Sequence, residues 1–393
     1  MAIPTPTRPH IRMIFIGVGQ GDCTLIVFPP PPDGTGEVVL IDCGSTKDAK
    51  CLIPGPPQRI VSALDNVKEI LRTYVPGKAI DYLFITHADE DHYNLIVRAL
   101  PGYTVKKTFY TGVLEDYWNG RDGARPGNGT YKWMQDHGAR PLPNSLAMMG
   151  PTPGGDDNTP WRYGQPIVNL GGAGDGLYIV AANATGQYAT RYAKWIRYLT
   201  PSTDPHEQVR LHKELCRYDP NPDSIVLALD YRQQSVWLMG DATTQTEDFL
   251  LRALENPPLS RNGLSSRAGE SMTLKMGHHG SETSSGRPLV EFLRPHRLVV
   301  SSGTKSFNGT GIPQFAHLEQ VKTWSGKVGN FAPHEYTYYK DRAFEIDASD
   351  KAVFTTQLMV NPDWTDAMPD EQRFICGNWH LTIDNTGTVE IGF

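Results

Sequence analysis

No run of apolar residues in this chain of 393 approaches the roughly eighteen that a membrane-crossing helix needs, so no membrane segment or membrane partner is expected. An apolar leader core is missing as well: Met1–His10 holds three prolines and several polar or basic residues, and a cytoplasmic location is the expectation. Cysteine is scarce. Cys23, Cys43, Cys51, Cys216 and Cys376 are odd in number and form no CxxC pair, which argues against a disulfide scaffold and against a cysteine zinc knuckle. Positive charge is not in excess either. With a net charge of −6 the chain cannot hold a long polyanion by bulk counterion release, and nucleic acid would need a local patch. Internal repeats and low-complexity tracts are absent.

What is present is enough for a folded core. Apolar residues make up 39% and charged residues 20%, which excludes disorder as the main state. The 38 glycines and 31 prolines point to long connections. Residues 11–18, 23–28 and 37–42 are short apolar runs separated by turn residues, the pattern of a β-meander. Ile60, Val61, Leu64, Val67, Ile70 and Leu71 recur at helical spacing before Pro76-Gly77. Residues 80–86 read as a buried strand and 93–100 as a helix. From about 103 to 176 the chain is rich in Gly, Pro, Tyr, Trp and Asn, and reads as an insertion with a short helix near 131–137. A second insertion, about 184–222, carries a helical stretch over 191–217. Strands resume at 224–231, 235–239, 273–276 and 298–301, with a helix over 246–254 and a terminal hairpin at 379–383 and 389–393.

Chemistry concentrates at three strand ends. His87-Ala88-Asp89-Glu90-Asp91-His92 follows the strand at 80–86, where α/β folds bind ligands. Three carboxylates and two imidazoles in six residues repel themselves unless cations compensate them, and divalent metals do so best. Asp241 ends the strand at 235–239; standing alone it would read as a helix N-cap, with Thr243-Thr244 beyond it. His278-His279 ends the strand at 273–276. Three such clusters in one chain make coincidence a poor account.

Together these segments give the chain a recognisable shape. IFIGVGQGDCTLI at 14–26, VVLIDCG at 38–44, THADEDH at 86–92, residues 224–241 and LKMGHHGSETSS at 274–285 resemble the metallo-β-lactamase-fold hydrolases, in the branch typified by the hydrolase domain of the competence protein ComEC. The resemblance implies an α/β fold, a four-layer αββα sandwich over residues 11–325, carrying the aromatic and Gly-rich insertions. Residues 326–393 are then a C-terminal extension packed on the same domain and ending in the β-hairpin. It implies two divalent ions, Zn²⁺ or Mn²⁺. His87 and Asp89 would serve one, Asp91 and His92 the other, Asp241 would bridge them, and His278 or His279 would complete the set. Asp42 takes the place of the structural aspartate behind the site. Asp89 stands where most of the superfamily has histidine, and Asn221 and Asp223 lie near a second missing histidine. Asp223 is therefore a further candidate ligand, and the exchange of nitrogen for oxygen favours harder ions such as Mn²⁺. Asn94 replaces a customary glycine.

The implied reaction is hydrolysis by a hydroxide held between two ions, aimed at phosphorus or a carbonyl carbon. Asp91, His279, His317 and Lys275 are the residues expected in catalysis. His317 or the non-ligating member of His278/His279 would supply a proton, and Lys275 would stabilise an oxyanion or simply be solvated. A phosphodiester is the leading substrate class: nucleotide, nucleic acid or phosphorylcholine ester. An amide, lactone or thioester, or a non-catalytic metal-binding module, are the alternatives. Arg191, Lys194, Arg197, Arg210, Lys213 and Arg217 form a local basic cluster, read as a solvated helix face or as a nucleic-acid patch.

Overall fold

A computed structural model describes residues 10–30, 36–45, 49–53, 59–118, 129–142, 166–172, 174–200, 204–255, 271–303, 306–307, 310–330, 333–338, 341–346, 352–360 and 374–392. The central feature is a pair of sheets. The first runs in the order Val389–Gly392, Trp379–Asp384, His10–Phe15, Thr24–Val27, Val38–Ile41, Ala79–Ile85, Thr104–Tyr110, Arg140–Pro141. The second runs Val353–Thr355, Arg297–Val300, Met272–Lys275, Gln234–Leu238, Val226–Tyr231, Gly176–Ala181, Val168–Asn169.

Alternation along the strands decides which layer each side chain joins. In His10–Phe15, Ile11, Met13 and Phe15 enter the core shared with the second sheet, while Ile14 packs on the other side. That outer side is covered by the helices Ala63–Tyr74 and Ile96–Ala99, through Val67, Leu71 and Ile96. Phe249, Leu250, Leu289, Leu293 and Leu318, from the helices Thr244–Glu255, Arg287–Leu293 and Phe315–Ser325, join the core of the second sheet. Helix, sheet, sheet, helix is the αββα sandwich of the metallo-β-lactamase fold.

Several local differences from the sequence reading have physical causes. Ile60 and Val61 belong to a strand, Arg59–Ser62, paired antiparallel with Lys50–Ile53, and the helix starts only at Ala63 with Ser62 as its cap. Their helical spacing was an accident of β-branched residues placed just before a true N-cap. Thr104–Tyr110 is a strand of the first sheet, hydrogen-bonded in parallel to Ala79–Ile85, although it falls where an insertion was expected. Exposed Lys106 and Lys107 dilute its apolar pattern. The helix expected over 93–100 is confined to Ile96–Ala99. Residues 119–128 and 143–165 of the aromatic insertion lie outside the described residues. The second insertion is a pair of helices, Tyr188–Leu199 and Pro205–Cys216. Beyond residue 325 the chain contributes strands to both sheets. Trp379–Asp384 pairs with His10–Phe15, and Val353–Thr355 pairs with Arg297–Val300.

Candidate metal centre

Adjacent strand ends of the two sheets deliver the chemical residues to one point. Asp42 follows Val38–Ile41, His87 follows Ala79–Ile85, Asp241 follows Gln234–Leu238, and His279 follows Met272–Lys275. Asp91 and His92 sit in the short 3₁₀ turn Glu90–His92. That turn lies against the end of Val38–Ile41 because Gly44 has no side chain: a Cβ there would stand 2.1 Å from the carbonyl oxygen of Asp91. Asn94, in place of the expected glycine, clasps the same segment, its amide bonding both the N–H and the carbonyl of Ser45.

The centre of the cluster is one carboxylate oxygen, Oδ2 of Asp241. It lies 3.4 Å from His92 Nε2, 3.4 Å from His279 Nε2 and 3.9 Å from His87 Nε2. Asp91 Oδ2 is 3.5 Å from His279 Nε2, and Asp89 Oδ2 is 3.7 Å from His87 Nε2. Ligand atoms of His87, His92 and Asp241, and of Asp91, His92 and His279, fall within 4.8 Å of one another.

Each of these three imidazoles has its other nitrogen committed. His92 Nδ1 is 2.8 Å from Asp42 Oδ2, and a carboxylate can only accept, so this nitrogen carries the proton. His279 Nδ1 is 2.7 Å from the carbonyl of Ser301, with the same consequence. His87 Nδ1 lies 3.1 Å from Thr86 Oγ1, whose own hydroxyl donates to Asp42 at 2.8 Å. Asp42 therefore fixes two ring tautomers, one directly and one through Thr86. All three Nε2 lone pairs face inward, the arrangement that metal-binding histidines adopt.

Among the described residues, these inward atoms are buried and have no hydrogen-bond partner: His87 Nε2, His92 Nε2, His279 Nε2 and Asp241 Oδ1. Burying such groups unpaired is costly, so the donor set fits a divalent cation that would satisfy them together. The electrostatics agree. Burial alone would raise the pKa of Asp241, but His279, His92 and His87 hold it well below the usual carboxylate range. Asp91 is pushed up by burial yet held at about 2 by His279 and His92. Burial pulls His92 down, and the carboxylates of Asp241 and Asp42 reverse this and raise it. His279 is likewise lowered by burial but raised overall by Asp241 and Asp91. Protons thus collect where a cation would sit.

The backbone separates the two adjacent histidines. His278, His279 and Gly280 have φ values of 44°, 53° and 79°, a left-handed run that turns one ring inward and the other out. His279 is buried in the cluster. His278 instead places Nδ1 2.6 Å from Thr283 Oγ1 and Nε2 3.5 Å from the amide of Asn221. Burial lowers the pKa of His278.

Three expected site residues are engaged elsewhere. Lys275 is buried in an ion pair with Asp22, which is also reached by Ser301 Oγ at 3.4 Å. Asp223 accepts from the N–H and hydroxyl of Thr185 at 3.0 and 2.7 Å and from the Tyr218 hydroxyl, so its carboxylate anchors the second insertion. His317 places Nε2 2.8 Å from the carbonyl of Ser284, an acceptor, and thus donates its proton within the scaffold. Sequence reasoning missed Thr86, whose place beside His87 at a strand end was the available signal. It also missed Asp22, visible only as the last residue of VGQGD.

Half of the basic cluster is neutralised by ion pairs. Arg191 pairs with Asp116, Lys194 with Glu214 at 3.2 Å, and Arg197 with Glu207.

Comparison with known proteins matches residues 16–168 to the Metallo-beta-lactamase superfamily. Over 121 residues the chain is 31% identical to Recombination protein 2 of Haemophilus influenzae, covering 31% of this chain and 13% of that protein. The chain thus corresponds to a small part of this relative's length. Sandwich, family match and relative bear out the resemblance to the metallo-β-lactamase hydrolases in their ComEC-type form. Among the described residues no helix is long and apolar enough to cross a membrane.

Proposed function

We propose that this chain is a hydrolase dependent on two divalent ions, Zn²⁺ or Mn²⁺, that cleaves a phosphodiester. The observation that carries the reading is the convergence of three imidazole Nε2 atoms on Asp241, each made a lone-pair donor by a partner on its Nδ1. His87, Asp89 and Asp241 would hold one ion, and Asp91, His92, His279 and Asp241 the other. Bound there, the ions supply an acidified water and positive charge for the oxygens of the reacting phosphate.

The chain's own groups do the rest. Asp42 keeps the His92 and His87 rings in a single tautomer, so no reorganisation is needed when charge develops. Asp89, with a side chain 25% exposed, and Asp91, at 23%, mark the side from which substrate arrives. His278 borders the centre, and its lowered pKa makes it neutral at neutral pH, able to accept a proton at Nε2 but not to give one up as an imidazolium. Asp89 puts an oxygen where the superfamily usually has a histidine nitrogen, which favours Mn²⁺ alongside Zn²⁺.

The test is metal content and bis(p-nitrophenyl) phosphate hydrolysis on chelator-stripped protein reloaded with each ion, wild type beside Asp241→Ala. About two ions per chain and a loss on the order of a thousandfold in the variant are expected. Activity confined to carbonyl esters would move the assignment to the amide, lactone or thioester class. Absence of bound metal under every loading condition would remove the enzyme reading altogether.

A further inference from the structure

Beside the metal centre lies an open cleft, walled on one side by Ala88 and Asp89 and on the other by the second insertion. Its far wall is aromatic and sulfur-bearing: Trp195, Tyr218 and Cys216 line it, and the Arg191 guanidinium lies 3.7 Å over the ring of Tyr218. The wall's buried charges cancel. Arg191 Nε is 2.8 and 2.6 Å from the two oxygens of Asp116, and Trp195 Nε1 donates to the same carboxylate at 2.6 Å. The N–H of Val113 adds a further donor at 3.2 Å.

This closed pair limits what the cleft can hold. A second phosphate would need Arg191, but its Nε and Nη2 are held by Asp116 and its Nη1 donates to the carbonyl of Leu215 at 3.3 Å. A quaternary ammonium would need an uncompensated carboxylate or an aromatic cage; here Asp116 is already paired, Asp89 is assigned to a metal ion, and the ring of Tyr218 carries a guanidinium. Flat faces with no net charge suit a flat, uncharged group, since arginine and aromatic planes stack on rings of every base type. Resting on the phosphodiesterase reading, we infer that the cleft is the subsite for the organic group esterified to the scissile phosphate, and that this group is an uncharged planar ring of nucleobase size. The shared wall at Asp89 places such a ring next to a phosphate at the metal centre. Phosphorylcholine esters are correspondingly disfavoured.

Three p-nitrophenyl diesters with one leaving group separate these cases: those of thymidine 5′-phosphate, methyl phosphate and phosphorylcholine. Metal-loaded wild type should prefer the thymidine ester over the methyl ester by at least about tenfold in kcat/KM. Cys216→Phe, which fills the cleft, should collapse that ratio towards one, and His212→Trp should do the same from the neighbouring position. The ratio does not respond to a general loss of folded or loaded enzyme. A ratio near one in wild type, a ratio that survives both substitutions, or a preference for the choline ester would overturn the inference. Equilibrium binding of thymidine alone keeps the two readings apart. Saturable binding lost in Cys216→Phe, with no diester cleaved, would sink the phosphodiesterase reading and leave the ring subsite standing. Cleavage without thymidine binding would do the reverse.

Discussion

Two buried carboxylates, Asp116 in the wall of the cleft and Asp241 in the candidate metal centre, are treated by the chain in opposite ways. Asp116 is satisfied from within: Arg191, the indole of Trp195 and the N–H of Val113 take its oxygens. Asp241 is nearly as buried, yet Oδ1 has no hydrogen-bond partner and Oδ2 is ringed by three imidazoles at 3.4 to 3.9 Å. The contrast separates scaffold from site better than residue type does. A carboxylate that holds structure carries its countercharge on the same chain. The one in the candidate metal centre is ringed by imidazole Nε2 atoms whose Nδ1 atoms are held by other groups.

The sharpest way to break this comparison is Asp116→Asn. It leaves Arg191, whose side chain is 11% exposed, without a charge partner, and should cost about 3 kcal/mol of stability. Denaturant unfolding would show the loss equally in metal-free and metal-loaded protein, while the loaded metal content stays at its wild-type value. A fall in metal content at unchanged stability would mean that the two carboxylates are not the separate classes described.

A smaller effect should follow from Thr86→Val, which keeps shape and removes the hydroxyl between His87 and Asp42. Without that acceptor the His87 ring is free to change tautomer, and metal affinity should fall by about 10- to 100-fold. Thr86→Ser should restore it. Chelator competition measures this directly, and equal affinities for wild type and Thr86→Val would show that the relay through Thr86 does not orient the ligand.

Part of the cluster was legible because His87, Asp89, Asp91 and His92 crowd ionisable residues at one strand end, whereas Asp241, which alone reads as a helix N-cap, was singled out only together with the other clusters and the family resemblance. What stayed hidden was which polar groups already had partners. Lys275 meets Asp22 across 253 residues and Arg191 meets Asp116 across 75, distances over which no spacing rule operates. The choice between His278 and His279 was equally closed to sequence, because it rests on left-handed backbone at two non-glycine residues. For the fold, alternating strands were readable, whereas Thr104–Tyr110 was masked by its exposed lysines and Arg59–Ser62 by a helix starting directly after it.

His380 handles burial in a third way, and pH exposes it. On Trp379–Asp384, it is tilted against Tyr74 at 5.6 Å and lies near Arg12, a cation that opposes a charged ring. Burial and then Arg12 push its pKa down to about 4, so the folded chain keeps it neutral. The unfolded chain, with an ordinary histidine pKa near 6.5, binds the proton first. Stability from this group is therefore complete above pH 6.5 and falls as pH drops towards 4, with a slope of up to about 1.4 kcal/mol per pH unit. Urea midpoints from pH 7 to 4, wild type against His380→Phe, isolate the contribution, since the metal centre titrates in both. The two curves should diverge as pH falls, with the variant flatter. Parallel curves would mean that His380 takes up its proton inside the fold, and that this third site, like Asp116, has a compensating partner after all.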